Sequence, residues 1–494
     1  MIIIFKFLIT GILSSLIFPP FFLLPIGFFS LTFLFFLLNE KKFLKKNKVF
    51  HFFAGVFFGL GMNLVIFNWI KEPFYIDPNT QNLSFISYFL IIYCSMYYGL
   101  ITFIVSFFKN ILSKLMIIPI LFVLVEFLIG NVGYGFPWVS FGLSLSSIPF
   151  LLQIISFLGS YGFSYLILII MFLPSLFYII FNNKNFRINK IIYLTFILSF
   201  FLFSIFLVLT NNIKDLNTKS ELYLVSLAQL NYSLVEKIQI ENNFKKLKNI
   251  ENIIKENKSD LLIFSENEYP NLVHNKNDFN KLSNLIKNDQ TVIIGATRKE
   301  NNNYYNSFVL IEKNNIKYFD KVKLVPFGEF LPFRNFLGFL DMIVGSSDYA
   351  KGNKKRLIKN FDNINFIPII CYEIIFAQKL IDKYENESNI IINLTNDSWF
   401  GSFSGPYQHF YLSLMKAVEL NKMLIRVSSN GISGIVNKKG SILDYIPLNK
   451  KEIKNLYVSI NTSSQNIDNY RWLILPFFLF IIFFSLVIHV KNDE

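Results

Sequence analysis

The stretch 365-NFIPIICYEIIF-376 decides how the second half of this chain folds. Its apolar run, 366-FIPIIC-371, is far shorter than the roughly 20 residues a membrane helix needs, so it reads as a buried strand. The run ends in Cys371, and Glu373 follows two residues later. Cys371 is open to two readings: a small core residue, or a nucleophile at a strand end with a carboxylate beside it. A lone free cysteine is most often the former, so the surrounding sequence must decide.

Similar short runs fill residues 212–470: 222-LYLVSLAQ-229, 260-DLLIFS-265, 291-TVIIGAT-297, 307-SFVLIEK-313, 389-NIIINLT-395, 424-LIRVSS-429 and 433-SGIVN-437. Residues 233–257 and 408–422 read as helices. Asn314-Asn315 and Lys438-Lys439-Gly440 read as hairpin turns. Strands alternating with helices predict an α/β domain with added hairpins.

The flanks differ in kind. The chain of 494 residues is 53% hydrophobic with 60 Phe and only 16% charged, a balance that points to lipid. Apolar spans are predicted near 3–18, 20–38, 50–69, 84–107, 114–130, 152–181 and 189–211, and an eighth in 471-RWLILPFFLFIIFFSLVIHV-490. The first lacks a small-residue cleavage site and reads as a span, not a signal peptide. Loops 39-NEKKFLKKNK-48 and 182-NNKNFRINK-190, with Lys109 and Lys114 between, are basic; 71-KEPFYIDPNTQN-82 and 131-NVGYGFPWVSFG-142 are not. The positive-inside rule then puts both termini in the cytoplasm and residues 212–470 on the opposite side. The predicted organisation is a membrane domain at 1–211, a globular domain at 212–470, and an eighth helix with a cytoplasmic tail at 471–494.

The net charge of +14 suits anionic lipid better than nucleic acid, because the lysines are scattered or lie beside apolar runs. Two cysteines, Cys94 and Cys371, lie in regions of opposite character, which excludes a disulfide framework; four scattered histidines give no zinc pattern.

A cysteine nucleophile needs a proton acceptor and a group to hold the oxyanion. Strand 261-LLIF-264 runs into Glu266, with Glu268 as a rival. In 318-YFDKVKLVPFGEFLPF-333, Lys321 and Lys323 share one face if the segment is a strand, and Glu329 sits in a loop fixed by two prolines and a glycine. The polar loop 393-NLTNDSWFGSFSGPYQHF-410 follows another strand, a position where function concentrates.

Glu, Lys and Cys in that order at strand ends resemble the nitrilase superfamily, and more closely its membrane-embedded branch, the apolipoprotein N-acyltransferases. The match rests on 321-KVKLVPFGEFLP-332, Cys371-Tyr372-Glu373, 396-NDSWFG-401 with Gly405-Pro406 and Gln408-His409, Asn430-Gly431, Gly135 to Trp138, and Gln229 with Asn231. It departs from the family where Phe264-Ser265, not Trp-Pro, precede Glu266.

The resemblance implies eight transmembrane helices around an α-β-β-α sandwich on the periplasmic side of the bacterial inner membrane. It implies a triad of Glu266, Lys321 and Cys371, with Glu329, Tyr372, Glu373 and Asn231 supporting it and Phe136, Trp138 and Trp399 at a lipid cleft. It implies acyl transfer from the sn-1 position of a phospholipid, typically phosphatidylethanolamine, through a Cys371 thioester to the α-amine of a diacylglyceryl apolipoprotein. Membrane lipids are partners, nucleic acid is not, no cofactor or metal is required, and the chain acts as a monomer. Three rivals remain: a membrane-tethered C–N hydrolase with the same triad, a transporter or sensor built around Glu126, and a Cys371–His409 pair of cysteine-protease type.

Overall fold

The computed structural model describes residues 2–182, 187–214, 220–287, 289–338, 341, 347–353, 358–361, 364–381, 388–461 and 471–490. The chain divides into two compact units, one of residues 1–71, 85–215 and 467–494, the other of residues 72–84 and 216–466.

The first unit is helical. Five helices among the described residues are long and apolar enough to cross a membrane: Lys48–Ile66, Gln81–Val105, Ile111–Asn131, Ile154–Met171 and Ile192–Thr210. Shorter apolar helices, Ile2–Ser15, Leu24–Asn39 and Arg471–Val487, occupy the first two and the last of the predicted spans. Large apolar side chains stand outward, Phe29 and Phe181 among them, which suits hydrocarbon as solvent. The long run at 152–181 is not one helix. Its backbone departs from helical geometry at Gly159, and a second helix, Leu173–Asn182, begins after Phe172. Pro174 has no N–H to continue the preceding ladder but fits the first turn of a new helix. Glu126, on which a transport reading depends, is buried and accepts the Phe141 backbone N–H at 2.6 Å, a packing role.

The second unit carries twelve strands among its described residues: β1 Ser220–Gln229, β2 Leu261–Phe264, β3 Thr291–Glu300, β4 Asn303–Glu312, β5 Asn315–Asp320, β6 Ile358–Phe361, β7 Ile364–Ile370, β8 Ile390–Thr395, β9 Met423–Ser428, β10 Ser433–Val436, β11 Ile442–Ile446 and β12 Glu452–Asn461. They form two sheets, ordered β12-β1-β2-β3-β4-β5 and β11-β10-β9-β8-β7-β6. The sheets face each other, with the rings of Phe308 on β4 and Phe366 on β7 at 6.2 Å. Ile250 and Ile254 of helix Asn243–Glu256 join Ala228, Leu262 and Ile294 in one core. Helix Ser404–Glu419 packs by β9 on the other sheet. The result is an α-β-β-α sandwich.

Three expectations change here. The helix predicted at 233–257 breaks at the extended Gln239, giving Leu234–Ile238, a turn at Ile240–Asn242, and Asn243–Glu256. β5 ends at Asp320, so Lys321 and Lys323 are not on a strand face; Lys321 is buried while Lys323 lies over the Phe376 ring. β12 was not foreseen. It pairs antiparallel with β1 from Ser220↔Asn461 to Gln229↔Glu452, so the first and last strands of the sandwich are neighbours.

Candidate active site

The central strands of each sheet run parallel, β1-β2-β3 in one and β7-β8-β9 in the other. Glu266 follows the carboxyl end of β2, Cys371 that of β7, and Asp397 that of β8, the end of such sheets where chemistry is usually placed. Gly295 on β3 makes room for the Glu266 turn: a Cβ there would lie 2.6 Å from the Glu266 Cα. No side chain fits that approach.

Lys321 and Glu266 are both buried. The Lys321 Nζ donates to Glu329 Oε1 at 2.8 Å and to Glu266 Oε1 at 3.4 Å. Asn306 on β4 spans the same two carboxylates, its Nδ2 donating to Glu266 Oε1 at 2.7 Å and to Glu329 Oε1 at 2.8 Å. Glu329 Oε2 also accepts the Val325 N–H at 2.9 Å, which closes the proline-fixed loop on itself. Burial alone would lower the Lys321 ammonium, but Glu329 first, then Glu266, hold it well above the ordinary lysine value. Lys321 is a permanent cation.

Cys371 begins a 3-10 turn, Cys371–Phe376, with a left-handed φ of 50°. That conformation is uncommon for a residue bearing a Cβ and costs roughly 1 kcal/mol or more, so surrounding contacts must hold it. Burial, then the Glu266 carboxylate, push the thiol up to about 12; Lys321 and a hydrogen bond to Thr395 pull the other way. At rest the group is a thiol, electrostatically coupled to both other members of the expected triad.

Glu373 supplies part of the hold. It is fully buried. Its Oε1 accepts the N–H groups of Val322 at 2.6 Å and Lys323 at 2.9 Å, and its Oε2 accepts that of Ile370 at 3.0 Å. One carboxylate thus ties the segment after Lys321 to the strand end before Cys371.

The rival Glu268 is engaged elsewhere: it pairs with Lys237 at 2.9 Å and accepts the Ser265 hydroxyl. Ser265, where the family pattern has proline, therefore binds the neighbouring acid. Tyr372 is buried, with its ring against Phe376. Among the described residues Asn231 bonds the carbonyls of Ser429 and Asn449, not the triad; it braces the strand-end loops. Trp138 is fully buried between Trp69 and Phe136, with ring centroids at 4.6 and 5.7 Å. Within the helical unit it packs against these two rings; Phe136 is half-buried and Trp399 is 42% exposed.

Two groups escaped the sequence reading. Asn306 gave no signal beyond an amide within an apolar strand. The other is a buried charge cluster: Arg426 Nη2 donates to Asp397 Oδ2 at 2.7 Å, and His409 Nδ1 lies 2.7 Å from Asp397 Oδ1. Burial would raise Asp397, yet Arg426 and then His409 hold it down to about 2. Burial and then Arg426 keep His409 below its ordinary value, while Asp397 and a hydrogen bond with the Cys371 backbone act against them. Among the described residues the His409 ring meets Asp397, Arg426 and the Cys371 backbone.

Residues 10–173 match the family model "Apolipoprotein N-acyltransferase N-terminal domain", and residues 224–466 match "Carbon-nitrogen hydrolase". A protein of Rickettsia bellii named apolipoprotein N-acyltransferase is 30% identical over 490 residues, covering 96% of both chains. A protein of the same name from Rickettsia typhi is 29% identical over 463 residues, covering 90% of this chain and 89% of its own. The solved structure of Saccharomyces cerevisiae Nit3, of the nitrilase superfamily, is 19% identical with a TM-score of 0.37, covering 49% of this chain and 90% of that one. On its length-wide match to these relatives, the chain belongs to the apolipoprotein N-acyltransferase family.

Proposed function

We propose that this chain moves an acyl group from the sn-1 position of a phospholipid, typically phosphatidylethanolamine, to the α-amine of a diacylglyceryl-cysteine at a lipoprotein N-terminus. The observation that carries the chemistry is the buried Lys321 held between Glu266 and Glu329 and coupled to the Cys371 thiol.

Because the resting thiol is protonated, attack and deprotonation are coupled. Glu266 takes the Cys371 proton as the sulfur attacks the ester carbonyl. Lys321 and the Tyr372 N–H stabilise the oxyanion. The carbon–oxygen bond breaks, and the departing alkoxide takes the proton from Glu266 and leaves as a lysophospholipid. A thioester remains on Cys371. The acceptor amine then attacks, gives its proton to Glu266, and expels the sulfur, which recovers that proton. Glu329 and Glu373 hold Lys321 and the two loops in register.

The same reading places eight helices in the bacterial inner membrane, 212–470 as a periplasmic catalytic domain, 471–494 as the eighth helix with its tail, both termini in the cytoplasm, and a monomer as the working unit. A membrane-held domain avoids extracting acyl chains into water at ~0.8 kcal/mol per methylene.

Mass spectrometry of the purified chain with phospholipid tests it. Wild type gains a hydroxylamine-labile acyl adduct on Cys371, and Cys371→Ala gains none. With a diacylated lipopeptide added, the acyl group passes to the amine. Release to water instead would establish the tethered hydrolase.

A further inference from the structure

Leu394 on β8 pairs with Ile370 on β7, so Thr395 and Cys371 are the next residues at adjoining strand ends. Thr395 is fully buried and Cys371 only 5% exposed. Burial first, then Glu266, push the Cys371 thiol up, and Lys321 and hydrogen bonding by the Thr395 side chain act against them. Its hydroxyl also lies 3.3 Å from Asp397 Oδ1.

That carboxylate oxygen is already engaged. It accepts Arg426 Nη2 at 3.0 Å and contacts His409 Nδ1 at 2.7 Å, while Oδ2 accepts Ser428 Oγ at 3.1 Å. The Thr395 proton has the longest of these contacts, beyond the usual range for O–H···O. It is the donor with least to lose by turning to another acceptor. The position of Asp397 follows from the same contacts. A buried carboxylate opposes a thiolate nearby, as Asp397 does here; the Arg426 guanidinium pairs with that charge and fixes the carboxylate.

We propose that the Thr395 hydroxyl is a further catalytic group of this site, donating to the Cys371 sulfur whenever that sulfur carries negative charge, with the Asp397–Arg426 pair holding the hydroxyl in reach. The inference rests on Cys371 as the nucleophile. No proton leaves Thr395: the thiol proton goes to Glu266, and the threonine hydrogen only turns from Asp397 to sulfur. The bond is strongest when the thiolate is generated and again when it leaves the thioester. A hydrogen bond of the uncharged thiol would gain nothing comparable.

The test uses the full-length chain in phospholipid–detergent micelles. The rate of iodoacetamide labelling at Cys371 is followed from about pH 6 to about pH 10 by peptide mass spectrometry, beside thioester formation from phospholipid. Thr395→Val keeps shape and removes the hydroxyl; it should slow both rates by about tenfold or more and move the labelling profile to higher pH. Thr395→Ser should restore both, which a packing role would not produce. Thr395→Ala carries the same expectation as valine without its bulk. Wild-type labelling and thioester rates in the valine and alanine variants overturn the proposal. Acyl transfer surviving in Cys371→Ala overturns the nucleophile itself, so the two failures are distinct.

Discussion

Lys321 Nζ lies 2.8 Å from Glu329 Oε1, closer than it lies to Glu266 at 3.4 Å. The cation is thus anchored by one carboxylate and shared with the other. Burial first, and the Glu266 charge second, are why the neighbouring thiol keeps its proton until a carbonyl is there to receive the charge.

Replacing the anchored cation should abolish turnover in a graded way. Lys321→Met removes the charge that meets the oxyanion and should lower kcat by about 10²–10³-fold. Lys321→Arg should rescue little of it, because a planar fork does not fit a pocket shaped for a compact ammonium. Single-turnover thioester formation measures both; full activity in the arginine variant would contradict the assigned geometry.

Glu266 and Glu268 should separate cleanly. Glu266→Gln removes the proton acceptor and should slow acylation by about 10²–10⁴-fold. Glu268→Gln disturbs the contacts to Lys237 and Ser265 and should cost stability with far less effect on the rate. Steady-state transfer beside thermal unfolding distinguishes them, and a reversed pattern would reassign the base.

Glu373→Gln tests the carboxylate staple. An amide cannot accept all three backbone N–H groups that Glu373 accepts. One N–H would face an NH2, a loss of about 1–3 kcal/mol. The unfolding midpoint in detergent should fall and thioester formation should slow with it.

The raised thiol predicts an alkaline loss of stability. The Cys371 thiol titrates near 9 when unfolded and is pushed up to about 12 in the fold. The folded state therefore binds the proton over that interval while the unfolded state releases it. The contribution is complete below pH ~9 and is lost as pH rises toward ~12, on the order of a few kcal/mol. Cys371→Ala should remove that part of the slope in denaturation measured across the alkaline range.

Much of this was legible in the sequence because it is local. Short apolar runs marked the strands on either side of Glu266 and Cys371, and the prolines around Glu329 marked a fixed loop. The buried charge cluster was not legible. Asp397 and His409 stand in a block that reads as a polar loop, and Arg426 in one that reads as a strand; only the packing of β8, β9 and one helix brings them together. β12 was hidden for a related reason. Its polar Glu452, Lys454 and Asn455 look like loop until β1 supplies the partner. The long run at 152–181 misled in the opposite sense, since apolarity is continuous across a backbone that is not.

Pairing of β1 with β12 brings Ser220 and Asn461 face to face. The first and last described strands of the sandwich thus begin and end side by side. An insert whose two ends meet in this way can be spliced into a host chain at a single joint, with little loop-closure entropy to overcome and no demand that the host hold two distant anchor points at a set spacing. That makes the sandwich a portable cartridge: the same catalytic body can be carried freely or on a tether without redesign of its strands.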